Sequence, residues 1–173
     1  MITAVELPRA FERQLRDEAR GAFPRECCGL IEGENLILRQ AQDEDQRKES
    51  LTLSQSKGEA TRVFRVTALH PMPNVSEEMD HFEIDPAGHI ALLRKLRGSG
   101  RAIIGCYHSH PNGRAEPSER DRQSAVEADF LWLICAVGPE FEGTNIAAFV
   151  SDGQGFSSLR IEQANGNCAM SAE

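Results

Sequence analysis

RAIIGCYHSHPNGRAEPSERD, residues 101–121, runs from an apolar segment through two histidines and a proline-bounded turn to a Ser–Asp pair. RAIIGCYH reads as an apolar strand. Residues i and i+2 of a strand project from one face, so His108 and His110 point together, about 6.6 Å apart along the chain, while Ser109 points the other way. Pro111 stops the strand and leaves both rings at its rim. Further on, Ser118 is a good helix N-cap, and Asp121 three residues later imitates a capping box and suits the positive end of the helix dipole. Capping alone explains that pair, but not two imidazoles ending an apolar strand. Ser118 and Asp121 also lie one turn apart on one face of the first helical turn. A helix starting beside the strand end can aim both at the histidines. Two His and one Asp, with a fourth position left to water, form a catalytic type of zinc site. Capped helix and metal site both stand at this point.

The chain has 173 residues, which suits one domain, expected over 1–162 with a disordered tail over 163–173. Its net charge of -8 argues against a nucleic-acid backbone, which needs clustered Lys and Arg, and against anionic membranes. No apolar run approaches the roughly 20 residues of a membrane helix, and the charged N-terminal stretch lacks a signal-peptide core, so a cytoplasmic location is expected. The five cysteines contain no C-x-x-C pair, which suggests neither a disulfide framework nor a cysteine-rich zinc knuckle.

Outward from the opening stretch, the periodicity predicts a helix from Pro8 to about Gly21. Strands follow at CCGLI, NLILRQ and RVFRVTALH, with PMPN (71–74) breaking the last of these and a short strand at HFEI (81–84). A second helix opens at Pro86 with Ile90, Leu93 and Leu96 on one face. A third runs from about Glu119 to Asp129, before strands at 130–138, 144–151 and 156–162. Residues 41–61 read as a solvated loop with a short hairpin at SLTLS. The order predicts an α/β (α+β) domain with one main sheet and helices packed on it.

HSHP, five residues, PS, two residues and D resembles the zinc signature of the JAB/MPN (JAMM) metalloproteases. In that family a glutamate lies upstream in a P-x-E-x-C-G-L segment, and PRECCGLIEG (24–33) fits with Glu26 in its place, 82 residues before His108. PMPNVSEEMDHFEIDP is similar to the family's Asn-containing loop and its F-x-hydrophobic-D-P approach to the second helix. The resemblance implies an MPN-type domain with one mixed, strongly curved central sheet and about three helices. It implies one Zn²⁺ held by His108, His110 and Asp121, with Glu26 as general acid/base and Ser118 as hydrogen-bond donor to the oxyanion. The implied reaction is peptide or isopeptide hydrolysis.

Short members of this form resemble bacterial enzymes that process sulfur-carrier proteins. The expected partner is therefore the C-terminal Gly-Gly of a ubiquitin-fold, sulfur-carrier-like protein. Oligomeric state stays open, a homodimer among the options. The alternative of another class is a catalytically silent MPN scaffold that binds partners, although such members usually lose motif residues that this chain keeps. The superfamily's DNA-repair branch is disfavoured by the acidic charge, and a nucleoside deaminase by the lack of P-C-x-x-C and H-x-E.

Other chemistry-bearing residues read more plainly. Cys27 and Cys28 invite a nucleophile assignment, but no histidine lies near them in sequence. His70, His81 and His89 are expected to be structural or at the surface, and Trp132 and Phe130 to pack in the core. Asn74 fits a turn about as well as a role near the cleft.

Overall fold

A computed structural model describes residues 1–38, 61–138 and 144–163. The apolar stretch of the opening motif forms β4 (Ala102–His110), paired parallel with β5 (Ala128–Ala136). Both strands are buried almost throughout, a pattern that demands cover on both faces. Alternation delivers it. Tyr107, Leu131, Leu133 and Cys135 pack with Leu15 and Ala19 of α1 (Arg9–Ala22). Cys106 and Trp132, pointing the other way, pack with Leu92 and Leu96 of α2 (Pro86–Leu96) and with Ala125, just beyond α3 (Glu119–Ser124).

The remaining strands are β1 (Ile2–Glu6), β2 (Cys28–Leu38), β3 (Thr61–Met72), β6 (Asn145–Asp152) and β7 (Phe156–Glu162). Their order is β1-β3-β2-β4-β5-β6-β7, and β1 pairs parallel with both β3 and β7, which closes a barrel. The expected mixed, strongly curved sheet with three helices is borne out, its curvature carried through to closure. Among the described residues no helix is long and apolar enough to cross a membrane.

The local expectations needed several corrections. β1 was not foreseen, being five residues long and unmarked by any turn signal. CCGLI and NLILRQ are one continuous strand, β2. Gly33 marks a register shift there rather than a turn. A Cβ at that position would lie 2.2 Å from the Arg65 carbonyl oxygen and 2.5 Å from Ile104 Cδ1, so only glycine lets the strands approach. Pro71 does not break β3. It pairs across from Gly29, beyond the stretch Arg62–Arg65 that β1 occupies, where its missing N–H costs no ladder bond to β1.

HFEI forms only the isolated bridge Asn74–Ile84. On α2 the inward residues are Leu92 and Leu96, while Ile90 and Leu93 are half-exposed. α3 stops at Ser124, five residues early. Asp129 has φ 59° and so leaves the helical region, with its carboxylate paired to Arg62 at 2.7 Å. The loop and hairpin expected over 41–61 lie outside the described residues except for Thr61, which opens β3, and of the tail expected over 163–173 only Gln163 is described.

Candidate active site

β4 runs between β2 and β5, with His108 opposite Cys28 on one side and Ile134 on the other. This central position buries His108 completely, and His110 is 4% exposed. α3 begins beside the strand end. Its Ser118 hydroxyl accepts from the Asp121 N–H at 3.1 Å, and the Asp121 carboxylate accepts from the Ser118 N–H at 2.6 Å. The capping box is therefore real. The same carboxylate also faces the histidines: Oδ1 lies 3.3 Å from His108 Nε2, and Oδ2 lies 3.4 Å from His110 Nε2. Capping and convergence on the histidines are two functions of one side chain: Oδ2 both accepts the cap bond and faces His110, while Oδ1 faces His108.

The donors themselves test whether a metal suits the three residues. His108 Nε2 and His110 Nε2 are 2.9 Å apart, so the three donor-to-donor distances are 2.9, 3.3 and 3.4 Å. Zinc with tetrahedral bonds of 2.0–2.1 Å separates its ligand atoms by roughly 3.3 Å. His110 Nδ1 lies 2.9 Å from the Arg114 carbonyl, which can only accept, so Nδ1 carries the proton and Nε2 presents a lone pair to the triad. His108 Nδ1 is buried without a partner among the described residues, so packing rather than a hydrogen bond holds that ring. Phe82 stacks on it at 4.4 Å between centroids, and Trp132 meets it edge-on at 5.9 Å. The donor set, its burial and its spacing fit a zinc ion.

The charges respond to this crowding. Burial alone would raise the Asp121 pKa, but the two imidazoles facing it and the cap bond from Ser118 together outweigh it and hold the carboxyl well below the usual range. Burial pushes His108 down, towards the neutral imidazole a metal needs. For His110 burial again pushes downward, but the Asp121 and Glu26 carboxylates and the Arg114 carbonyl together outweigh it, and its pKa rises.

Glu26 lines a cleft of about 280 Å³ together with His110, Ser118 and Arg120. It is 6% exposed, and burial is the main cause of its pKa rising to about 7. A carboxylate poised there can both take and return a proton near neutral pH.

Ser109 and Phe82 escape sequence reasoning at this site, and Asn74, open there between a turn and a role near the cleft, proves to tie the cleft together. The Ser109 hydroxyl accepts from the Cys27 N–H at 2.9 Å, and the Ser109 N–H donates to the Cys27 carbonyl at 3.0 Å. The residue between the two histidines thus ties the strand end to the segment carrying Glu26. Asn74 uses its full side-chain capacity, each bond at 3.0 Å: it donates to the carbonyls of Glu26 and His81 and accepts from the N–H groups of Ser76 and Glu83. It links the Glu26 backbone to the loop that brings Phe82 onto His108. Strand alternation gave the direction of Ser109, but nothing local gives a partner 82 residues away.

The discounted residues stay apart. His70 pairs with buried Glu32 at 2.8 Å, and neither His81 nor His89 joins the triad. Burial pushes the Cys27 thiol up to about 11 and the Cys28 thiol to about 12, so both stay protonated and poorly nucleophilic. Trp132 is buried in the core, and Phe130 packs partly buried against it.

The family model described as prokaryotic homologs of the JAB domain matches residues 8–151. A desampylase of Haloferax volcanii is 31% identical over 122 residues, spanning 70% of this chain and 69% of that protein. A Thermus thermophilus protein named "Probable TtuB-protein conjugate cleaving protease" is 33% identical over 98 residues, spanning 56% of this chain and 60% of that protein. Among solved structures, a protein from Desulfitobacterium hafniense superposes with a TM-score of 0.68 at 23% identity, covering 94% of each chain. One from Salinibacter ruber superposes with a TM-score of 0.58 at 24% identity, covering 95% of this chain and 94% of its own. At these identities the structural likeness is one of fold.

Proposed function

The chain belongs to the prokaryotic homologs of the JAB domain, and from that membership we propose that it is a zinc-dependent peptidase or isopeptidase. Its proposed substrate is the amide bond that follows the C-terminal Gly-Gly of a ubiquitin-fold, sulfur-carrier-like protein. The observation that carries this is the meeting of a buried His108–His110–Asp121 triad with a cleft holding Glu26 and Ser118. The names of the two relatives, a desampylase and a protease that cleaves protein conjugates, support the hydrolytic class.

His108, His110 and Asp121 would hold the zinc, which supplies Lewis acidity towards a carbonyl and a water. Glu26 takes a proton from the attacking water and later returns it to the nitrogen of the breaking C–N bond. One water is consumed, and a carboxylate and an amine leave. The Ser118 oxygen accepts the cap bond from the Asp121 N–H, so its own proton is free to be donated to the oxyanion.

The direct test offers the purified, zinc-loaded protein a carrier ending in Gly-Gly-X and follows release of X by mass. No hydrolysis, or no zinc bound even on addition, would overturn the assignment. Ser118→Ala is expected to lower the rate about 10²–10³-fold. Losing the cap also costs about 1 kcal/mol of stability, read as a lower Tm.

Asn74→Asp isolates positioning. It keeps the two accepted bonds and removes both donated ones, so the Glu26 carbonyl loses its anchor. The expected outcome is a fall in kcat of about tenfold to a hundredfold with KM and zinc content unchanged. A change in KM alone would show that Asn74 does not act through Glu26.

A further inference from the structure

We propose that the apolar pocket adjoining the triad binds the first side chain on the amine side of the scissile bond, and that it takes an aromatic-sized apolar group. The assignment rests on the hydrolase reading above. The pocket has a volume of about 220 Å³ and a mostly apolar wall that includes Ile84, Phe130 and Trp132, with His81, His89 and Ser124 of α3 also lining it. An apolar cavity of about 150 Å³ is enough to hold benzene. Arg120 lines both this pocket and the polar cleft of Glu26 and Ser118, and Asp121 also lines the pocket. A group seated here is therefore continuous with a substrate in the cleft.

Two observations fix the kind of occupant. A carrier tail ending in Gly-Gly offers no side chain at the two positions before the scissile bond. The nearest side chain belongs to the departing amine, and the pocket's apolar walls select its chemistry. Second, the wall itself is rich in aromatic rings: Phe82, Phe130 and Trp132 all line the pocket, and Phe130 meets Trp132 edge-on at 6.5 Å between centroids. Such rings offer faces and edges on which another ring packs favourably.

Trp132 is the chain's single tryptophan, so its fluorescence reports on the pocket without any turnover. The zinc-loaded protein is titrated with phenylalaninamide and with alaninamide. Phenylalaninamide is expected to change the emission saturably at concentrations where alaninamide does not. Ser124→Phe and Ile84→Phe, each filling the pocket, are expected to weaken that response about tenfold or more.

In turnover, a carrier ending in Gly-Gly-Phe is expected to exceed one ending in Gly-Gly-Ala by about tenfold to a hundredfold in kcat/KM. Either filling variant should remove the preference, bringing the two carriers to one rate. Equal rates for the two carriers, or a preference that survives both variants, would overturn the pocket assignment and leave the hydrolase standing. Cleavage of neither carrier by the parent protein would overturn both.

Discussion

Glu26→Gln is expected to abolish nearly all hydrolysis, by about 10³–10⁴-fold, while zinc content and fold are retained. Glutamine preserves the shape and hydrogen-bonding reach of the side chain but cannot take up a proton. The group acts twice in the proposed cycle, so both steps suffer. Glu26 is not among the triad that converges on the metal position, so zinc binding should be unaffected. Parental rates in the variant would remove Glu26 from the mechanism.

The same substitution has a signature in stability that needs no substrate. Burial raises the Glu26 carboxyl from 4.5 to about 7 in the folded protein. Below about pH 4 the carboxyl is neutral in both folded and unfolded chains and has no effect on their balance. Between 4.5 and 7 the unfolded chain gives up a proton that the folded one keeps, so stability falls as pH rises, by about 2–3 kcal/mol in total. Glutamine is neutral throughout. Metal-free Glu26→Gln should therefore melt higher than the metal-free parent at pH 8 and alongside it at pH 4. An equal difference at both values would show that burial of the charge is not the cause. Zinc attracts the carboxylate, so the acid limb of kcat/KM in the loaded enzyme is expected between pH 4.5 and 7.

Asp121→Ala is the second large effect: stoichiometric zinc and all measurable hydrolysis should disappear. Metal analysis by mass spectrometry checks the first and release of X from Gly-Gly-X the second. The variant also removes the acceptor of the Ser118 N–H and the counter-charge beside two buried histidines. The metal-free protein should lose about 2 kcal/mol or more, read as a lower Tm. Asp121→Asn separates the two functions of the side chain. Its amide oxygen can still close the capping box, so most of the metal-free stability should return while zinc binding does not. Full zinc occupancy in Asp121→Ala would remove this residue from the metal set.

The legible and illegible parts of this molecule divide along the range of the interactions involved. His108, His110, Ser118 and Asp121 fall within fourteen residues of one another. Their directions follow from two local rules, strand alternation and the helical turn, and both hold here. Glu26 obeys no such rule. Nothing in its periodicity says that it is a buried carboxylate among 27 acidic residues, and only the family resemblance singles it out. Ser109, Asn74 and Phe82 act through partners that tertiary packing supplies.

The inward face of α2 was misread because Ile90 and Leu93 are apolar yet half-exposed, so hydrophobic spacing fits two faces of the same helix. Pro71 looks like a strand break, and Gly33 falls in the gap between two expected strands, because both residues are breakers in general. Their tolerance inside strands depends on what lies alongside, which is a property of the sheet and not of the segment.

The closure of the barrel by β1 also constrains how the chain reaches this state. Every other strand pair joins partners nearer in sequence than β1 and β7, where Ala4 sits against Arg160. The entropy of closing so long a loop is recovered only once the intervening strands are already in register, so this ladder is the natural last step of folding. β1 leaves the ribosome first among the strands, and β7 leaves last. Synthesis in the direction N to C therefore releases the triad-bearing β4 and α3 while the barrel is still an open sheet, with the edges of β1 and β6 unprotected until the final strand arrives.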